Sequence, residues 1–288
     1  MPNSEPLVSI IINCFNGETY LQEAIDSIYA QTYNNWEIIF WDNGSTDNSS
    51  SIANSYDERL KYFFEDKTVP LGEARNLALE KTKGAYVSFL DCDDLYLPEK
   101  ISIQLSEMQA KKAVLSYGSW IKINADGEAL KKIKMESGFG NRFEELYSKY
   151  LVNFQTLMIN NNYLKEKNIT FDKNLKFAGD HNIVLRVAYD VPVMSIDKVL
   201  AKYRVHDNSL SKNRSSDKYD DMEYTRHYFE SIGAQLKFKN FQYFSLKSII
   251  LMRLRDSFYD DNYKEVLLYL LDYLTLIFKK LFKRLNYY

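Results

Sequence analysis

Asp91-Cys92-Asp93-Asp94 puts three carboxylates within four residues, directly behind an apolar run. Like charges this close raise one another's proton affinity and cost stability unless something compensates them. A hard divalent cation such as Mg2+ or Mn2+ would do so, since these ions take one or two carboxylates and complete their shells with phosphate oxygens. One Asp could also cap the helix expected from Pro98, but a single cap leaves the other two unexplained. Asp42 ends another apolar run and precedes Asn-Gly-Ser-Thr-Asp. There a carboxylate can accept hydrogen bonds from a nucleobase or ribose, or close an Asx turn. Arg75, in Gly72-Glu-Ala-Arg-Asn, carries a guanidinium fork that matches phosphate oxygens. Asp180 follows Gly179 and opens an apolar helix, as a cap or as a general base. His206, in Tyr203-Arg-Val-His-Asp-Asn-Ser, can join carboxylates on a metal. His181 and His227 have no such context.

Short alternating elements must position these groups. The runs at 7–13, 36–41, 60–64 and 85–90 predict four strands, and helical spacing appears at 19–31, 72–81 and 99–111. Continuous apolar strands alternating with helices imply a parallel, right-handed sheet covered on both faces. Ligands of such sheets bind at the carboxyl ends of the strands, and Asn13, Asp42 and Asp91 fall there. Residues 114–124 and 129–134 flank Asn-Ala-Asp-Gly-Glu as a hairpin. Helices and short strands follow over 142–190, and a strand over 198–205 leads into His206.

Composition narrows the function. The 288 residues carry 37 basic and 39 acidic side chains, a formal net charge of -2, so no global basic face invites nucleic acid. Two cysteines cannot build a disulfide framework, and a reducing cytoplasm is the natural setting. The N-terminus lacks the basic start and apolar core of a signal peptide. Charge is uneven: 14 basic against 10 acidic residues lie beyond position 210. That shift marks a boundary between a first domain over 1–210 and a helical region over 211–288. There is no G-x-G-x-x-G after the first strand, and no Walker A, CxxC, HExxH or GxSxG motif. Gly138-Phe-Gly-Asn-Arg-Phe breaks the dinucleotide fingerprint at its last position.

Across roughly residues 7–210 the chain resembles the family 2 glycosyltransferases of GT-A fold. The resemblance rests on Val8-Ser-Ile-Ile-Ile-Asn-Cys-Phe-Asn, Asp42-Asn-Gly-Ser-Thr-Asp, Gly72-Glu-Ala-Arg-Asn, Asp91-Cys-Asp-Asp, Phe171-Asp with Gly179-Asp, and Tyr203-Arg-Val-His, in that order. It departs from the family pattern at Asn13 (usually Pro), Phe15 (usually Tyr), Trp41 (usually smaller and β-branched) and Gly179 (usually Glu). The resemblance implies an α/β GT-A fold with a Rossmann-like, mostly parallel sheet, a nucleotide-binding half over about 1–110 and an acceptor half over about 111–210. It implies a nucleotide-sugar site of Asn13, Phe15, Asp42, Arg75, Asp91 and Asp93. It also implies Mn2+ or Mg2+ on Asp93 (the DXD motif) with His206 nearby, and Asp180 as catalytic base. The implied activity is inverting, metal-dependent hexosyl transfer from a nucleotide sugar, by family frequency a UDP-sugar. The acceptor would be a hydroxyl of a glycan or lipid-linked glycan, in lipopolysaccharide, capsule or related surface-polysaccharide synthesis. A sugar-nucleotide pyrophosphorylase is disfavoured by the missing Gly-rich loop. A non-catalytic nucleotide-sugar-binding or scaffold protein would be expected to break the acidic cluster or lose Asp180.

The C-terminal stretch over 262–286 has the layout of an interfacial helix. Leu267, Leu270, Leu271, Leu274, Ile277, Phe278, Leu281, Phe282 and Leu285 share one face, and Lys279, Lys280, Lys283 and Arg284 lie opposite, with Asp272. The charges are expected to keep it on a bilayer surface rather than across it, which would make a cytoplasmic enzyme peripheral on the inner membrane face. Packing on its own domain, or on a second copy in a homo-oligomer, is the competing expectation.

Overall fold

The computed structural model describes residues 5–207, 209, 217–259 and 263–285. The chain forms two compact units, Met1–Asn141 with Val152–Asn213, and Arg142–Leu151 with Arg214–Tyr288. The short segment 142–151, within the acceptor half on the sequence reading, thus groups with the C-terminal helices.

The first unit is built on one ten-stranded mixed sheet in the order β3-β2-β1-β4-β9-β6-β10-β5. Its first half is parallel: β1 (Val8–Cys14) lies between β2 (Trp36–Asp42) and β4 (Tyr86–Phe89), and β3 (Leu60–Phe64) flanks β2. All seven residues of β2 are buried, as a continuous apolar strand covered on both faces requires. Helix α1 (Leu21–Tyr29) turns Leu21, Ala24, Ile25 and Ile28 inward, and α2 (Ser49–Ala53) and α3 (Leu71–Glu80) complete the crossovers.

Beyond β4 the direction changes. β9 (Met158–Asn160) runs antiparallel to both β4 and β6 (Leu115–Ile123) and joins the two halves. β6 carries the expected hairpin partner β7 (Ala129–Ile133) and pairs in parallel with β10 (Val193–Arg204). β10 starts earlier than its pattern predicts, because the ladder is irregular between Ile196 and Ala201 and polar Asp197 and Lys198 sit in that break. The two-residue β5 (Leu95–Tyr96) pairs antiparallel with β10, and β8 (Gly138–Gly140) pairs with its start. β5 is the decisive short element. It ties the acidic loop after β4 to the strand that ends before His206.

The second unit contains α5 (Phe143–Ser148), α8 (Asp217–Ser231), α9 (Ala234–Lys237), α10 (Phe241–Tyr259) and α11 (Tyr263–Leu285). Its core is aromatic: the Phe143 ring lies 4.4 Å from Phe238 and 4.9 Å from Phe229, and Tyr147 packs edge-on to Phe241. These edge-to-face and offset contacts add to area burial. In the first unit, α4 (Lys100–Lys111), α6 (Asn161–Glu166) and α7 (Gly179–Asp190) complete the helices.

Helix α4 buries Lys100 completely on its inner face. Its Nζ donates to Ser88 Oγ at 2.6 Å and Gln104 Oε1 at 2.7 Å, and sits 4.2 Å from the Tyr96 ring centre. Burial drives this amine well below the usual lysine range. The folded protein therefore holds Lys100 neutral at pH values where the unfolded chain still protonates it. Stability linked to Lys100 rises with pH up to the unfolded lysine pKa, by about 1.4 kcal/mol per pH unit, and is lost as pH falls toward the folded value. Lys100→Met should flatten the rise of unfolding free energy between pH 7 and 9.5 relative to wild type, as measured by denaturant melts across that range.

Candidate active site

Two loops form one wall of the site. Asn16, with a positive φ of 53°, donates its backbone N–H to Ser45 Oγ, and its Oδ1 accepts from Thr46 N. Glu18 N donates to Asp47 Oδ2, and Asn48 N donates to Glu18 Oε2. The loops after β1 and β2 are thereby laced together. Phe15 stands on this wall, 53% exposed. Asn13, one residue before the end of β1, has a buried Nδ2 with no hydrogen-bond partner among the described residues.

Asp42 is fully buried, and both its oxygens are engaged. Oδ1 accepts from Ser45 N at 2.8 Å and Oδ2 from the Tyr62 hydroxyl at 2.8 Å. Gly44 supplies the positive φ of 84° that this turn needs. In this arrangement Asp42 closes an Asx turn and shapes the wall, and each oxygen keeps acceptor capacity for a further donor.

The acidic loop lies next to that wall. Asp91 N donates to Gln155 Oε1 at 2.8 Å, and Gln155 Nε2 donates back to Asp91 Oδ2 at 2.6 Å. Gln155 belongs to the 3-10 turn Phe154–Thr156 just before β9. Arg75, mostly buried on α3, brings Nη2 to 3.7 Å from Asp91 Oδ1 and lays its guanidinium 4.1 Å over the Phe154 ring. Its Nε is buried without a hydrogen-bond partner among the described residues. Burial pushes the Asp91 carboxyl above the ordinary carboxylate range; Arg75 and Gln155 pull it down, and Asp93 and Asp180 push it up. Asp180, in the first turn of α7, therefore shares the electrostatic environment of Asp91. The N-cap of α7 is Ala178 and that of α4 is Glu99. Neither Asp180 nor the acidic cluster serves as a helix cap.

Asp93 Oδ2 lies 2.9 Å from His206 Nε2. The His206 ring packs 5.0 Å from Tyr20, and its backbone N–H donates to Ser209 Oγ. Asp94 is wholly buried: Oδ1 accepts from Arg204 N at 2.6 Å, and Oδ2 has no partner among the described residues. Burial, and then the charges of Asp93 and Asp91, push its carboxyl far above the usual range, so Asp94 favours the neutral acid.

Sequence reasoning missed two residues that organise this loop. Gln155 offers no local signal, because its partner Asp91 is 64 positions away. Arg204 stood inside a quoted motif but was passed over for His206. It is 1% exposed. Its Nε donates to Asp93 O at 3.0 Å, Nη1 to Ala125 O at 2.7 Å and Nη2 to Glu23 Oε2 at 2.7 Å. Its guanidinium also lies 4.4 Å from the Tyr20 ring centre.

Among the described residues no cluster of three or more His, Cys, Asp or Glu forms a ready metal cage. Asp93 with His206 is a two-ligand set of carboxylate and imidazole. That set suits a cation completing its shell with diphosphate oxygens and water, as Mg2+ and Mn2+ do in nucleotide sites.

Comparison with known proteins places the chain in a family. The family model described as "Glycosyl transferase family 2" matches residues 9–190, and the chain belongs to that family. An uncharacterized glycosyltransferase of Rickettsia typhi is 36% identical over 210 residues, covering 70% of this chain and 65% of the relative. TuaG of Bacillus subtilis, named for teichuronic acid biosynthesis, is 27% identical over 217 residues, covering 74% and 85%. The chain spans about a third to two thirds of the length of its Rickettsia relatives, 33% of the Rickettsia felis glycosyltransferase for example. In fold, Staphylococcus aureus TarS 1-349 in complex with UDP-GlcNAc superposes with a TM-score of 0.74 at 17% identity, covering 93% of this chain and 81% of TarS. A Pyrobaculum calidifontis mannosyltransferase in complex with GDP-Man and Mn2+ gives a TM-score of 0.61 at 16% identity, covering 79% and 65%. The fold is of the GT-A type.

Arg204 satisfies two carbonyls that lysine's single ammonium could not both reach. Arg204→Lys is expected to cost about 1–3 kcal/mol, the range for a buried acceptor left unpaired. A drop in melting temperature, measured by calorimetry on the purified variant, checks it.

Proposed function

We propose that this protein is an inverting glycosyltransferase moving a hexose from a nucleotide sugar, a UDP-sugar by preference, to a hydroxyl of a glycan or lipid-linked glycan. The observation that carries the reading is the convergence of Arg75, Asp91, Asp93 and His206 on one strand end, with Asp180 in electrostatic contact. A scaffold that had lost activity would have no reason to keep this costly cluster of acids.

In the proposed reaction Asp180 takes the proton of the acceptor hydroxyl as its oxygen attacks the anomeric carbon. The bond from that carbon to the diphosphate oxygen breaks on the opposite face, its electron pair leaves with the diphosphate, and the configuration inverts. Arg75, with its unpaired Nε, offers donors to the diphosphate, and Asp91 accepts from the ribose. Asn13 Nδ2 is an unused donor on the nucleotide side, and Phe15 supplies an exposed aromatic face for the base. Asp93 and His206 would hold a divalent cation, which when bound neutralises charge developing on the leaving diphosphate. TarS with UDP-GlcNAc and the mannosyltransferase with GDP-Man and Mn2+ lend this reading their fold and the printed identity of their ligands.

A membrane-linked acceptor is supported by α11. Val266 is buried and Tyr269 and Tyr273 half-buried, with Tyr269 near Arg253 of α10. Leu267, Leu270, Leu271, Leu274 and Phe278 are exposed along another face, Leu267 at 61% and Phe278 at 59%. The expected packing of that leucine face within its own unit is therefore not what α11 does. Lys279, Lys280, Lys283 and Arg284 follow in sequence, a charge cluster suited to anionic headgroups at about 1 kcal/mol each. No described helix is long and apolar enough to cross a membrane, so the helix would lie on the surface. This bears on polysaccharide synthesis at the inner membrane face.

Two experiments test these readings. Asp180→Asn should keep UDP–Mn2+ binding while turnover falls about 10²-fold or more, and Asp93→Ala should lose both turnover and the Mn2+-dependent part of UDP binding. Near wild-type turnover in Asp180→Asn, or metal-independent activity in Asp93→Ala, would overturn the assignment. For the membrane, full-length protein should float with anionic vesicles at low salt, and Leu271→Asp/Leu274→Asp should not. Doubling of the mass in solution without flotation would make the face a contact between two copies.

A further inference from the structure

The two cysteines of the chain end neighbouring parallel strands. Cys14 closes β1, and Cys92 stands between Asp91 and Asp93 just past β4. The β1–β4 ladder pairs Ile10 with Ser88 and Ile11 with Phe89, and Leu90 N donates to Ile11 O beyond it. Three more residues in that register bring Cys14 opposite Cys92. A Cβ added to Gly17 would lie 2.8 Å from both Sγ atoms, so the sulfurs are no further apart than twice that distance. Cys92 packs against the core cluster that contains Cys14. Adjacent strands are about 4.8 Å apart, within the roughly 4.4–6.8 Å between Cα atoms that a disulfide spans. Cys14 is buried and Cys92 half-buried. Neither thiol has a role in the transfer reaction.

We propose that Cys14 and Cys92 form a redox modification site, in which a hydroperoxide converts the pair to a reversible cross-strand disulfide that switches off donor binding. One of the two sulfurs attacks the peroxide oxygen, which breaks the O–O bond, releases water and leaves a sulfenic acid. The other sulfur then displaces that oxygen as a second water and forms the S–S bond. The two thiols lose two electrons and two protons, and one hydrogen peroxide becomes two waters. A dithiol reverses the bond by exchange and is itself oxidised to a disulfide.

Closing the two sulfurs from a non-bonded separation to a bond of about 2.05 Å draws Cys92 toward Cys14. Both of its neighbours in sequence are carboxylates of the site, and a misplacement of about 1 Å there costs about 10²-fold in rate. Asp93 is also held from the other side through its carbonyl and through His206. The loop therefore cannot follow Cys92 as a rigid body. The loss of donor binding rests on the glycosyltransferase reading; the covalent bond does not.

The test treats full-length protein with hydrogen peroxide, maps crosslinked peptides by mass spectrometry after alkylation, and follows UDP–Mn2+ thermal stabilisation alongside. Oxidised protein should carry a Cys14–Cys92 crosslink and lose the UDP–Mn2+ shift, with about 10²-fold lower turnover and recovery in dithiothreitol. Cys14→Ala, treated with peroxide in the same way and without dithiothreitol, should keep its UDP–Mn2+ shift and should never crosslink. Two thiols that stay alkylatable, or that oxidise separately without a crosslink, overturn the site. A crosslinked protein that keeps full UDP–Mn2+ stabilisation overturns the switch. If reduced wild type shows no nucleotide shift at all, the glycosyltransferase reading fails, while the crosslink map still decides the bond.

Discussion

A buried guanidinium is costly unless hydrogen bonds and a counter-charge engage it, because an unpaired charge away from water costs several kcal/mol. Arg204 meets that condition through the carbonyls of Asp93 and Ala125 and the Glu23 carboxylate. Its own backbone N–H reaches Asp94. These bonds join the loop after β4 to the end of β10, and the rest of the candidate site follows from that junction. His206, two residues further on, meets Asp93 because Arg204 has already brought the segments together. Asp94 lies buried beside them, burial and the neighbouring acids raising its carboxyl, while Asp91 and Asp93 keep part of their surface open.

The mixed sheet explains how distant segments reach one place. Its parallel half delivers Asn13, Asp42 and Asp91 to the strand ends through right-handed crossovers. Its other half arrives through β9, antiparallel to both β4 and β6. The turn before β9 supplies Gln155 and Phe154, one holding Asp91 and the other lying under Arg75. The like charges of Asp91, Asp93 and Asp180 remain only partly offset by Arg75 and Gln155. That residual repulsion is a reason for the site to favour a cation and a ligand together over either alone.

Much of the site was legible in the chain because its residues carry local signals. Three acids behind a buried strand are more than one cap requires, and the N-caps of α4 and α7 are other residues. Asp42 was legible as a strand-end carboxylate, while its Asx turn needed the structure, since an Asx turn and a ligand contact share one sequence pattern. The tertiary partner Tyr62 OH takes its second oxygen. For α11 the periodicity was plain, but which face meets α10 was not. The tyrosines and Val266 pack, while the leucines stay exposed.

The sequence by itself determined the elements, the family and the acidic strand end, because apolar period, turn residues and short motifs act over a few neighbouring positions. Only the tertiary structure decided that Gln155 and Arg204 hold the acidic loop, that β5 pins it to β10, and that Cys14 faces Cys92. Those contacts join residues 64 to 111 positions apart, or lie across strands whose pairing order the chain does not spell out. At such separations a residue's role is set by what the sheet brings beside it, and no local pattern records that.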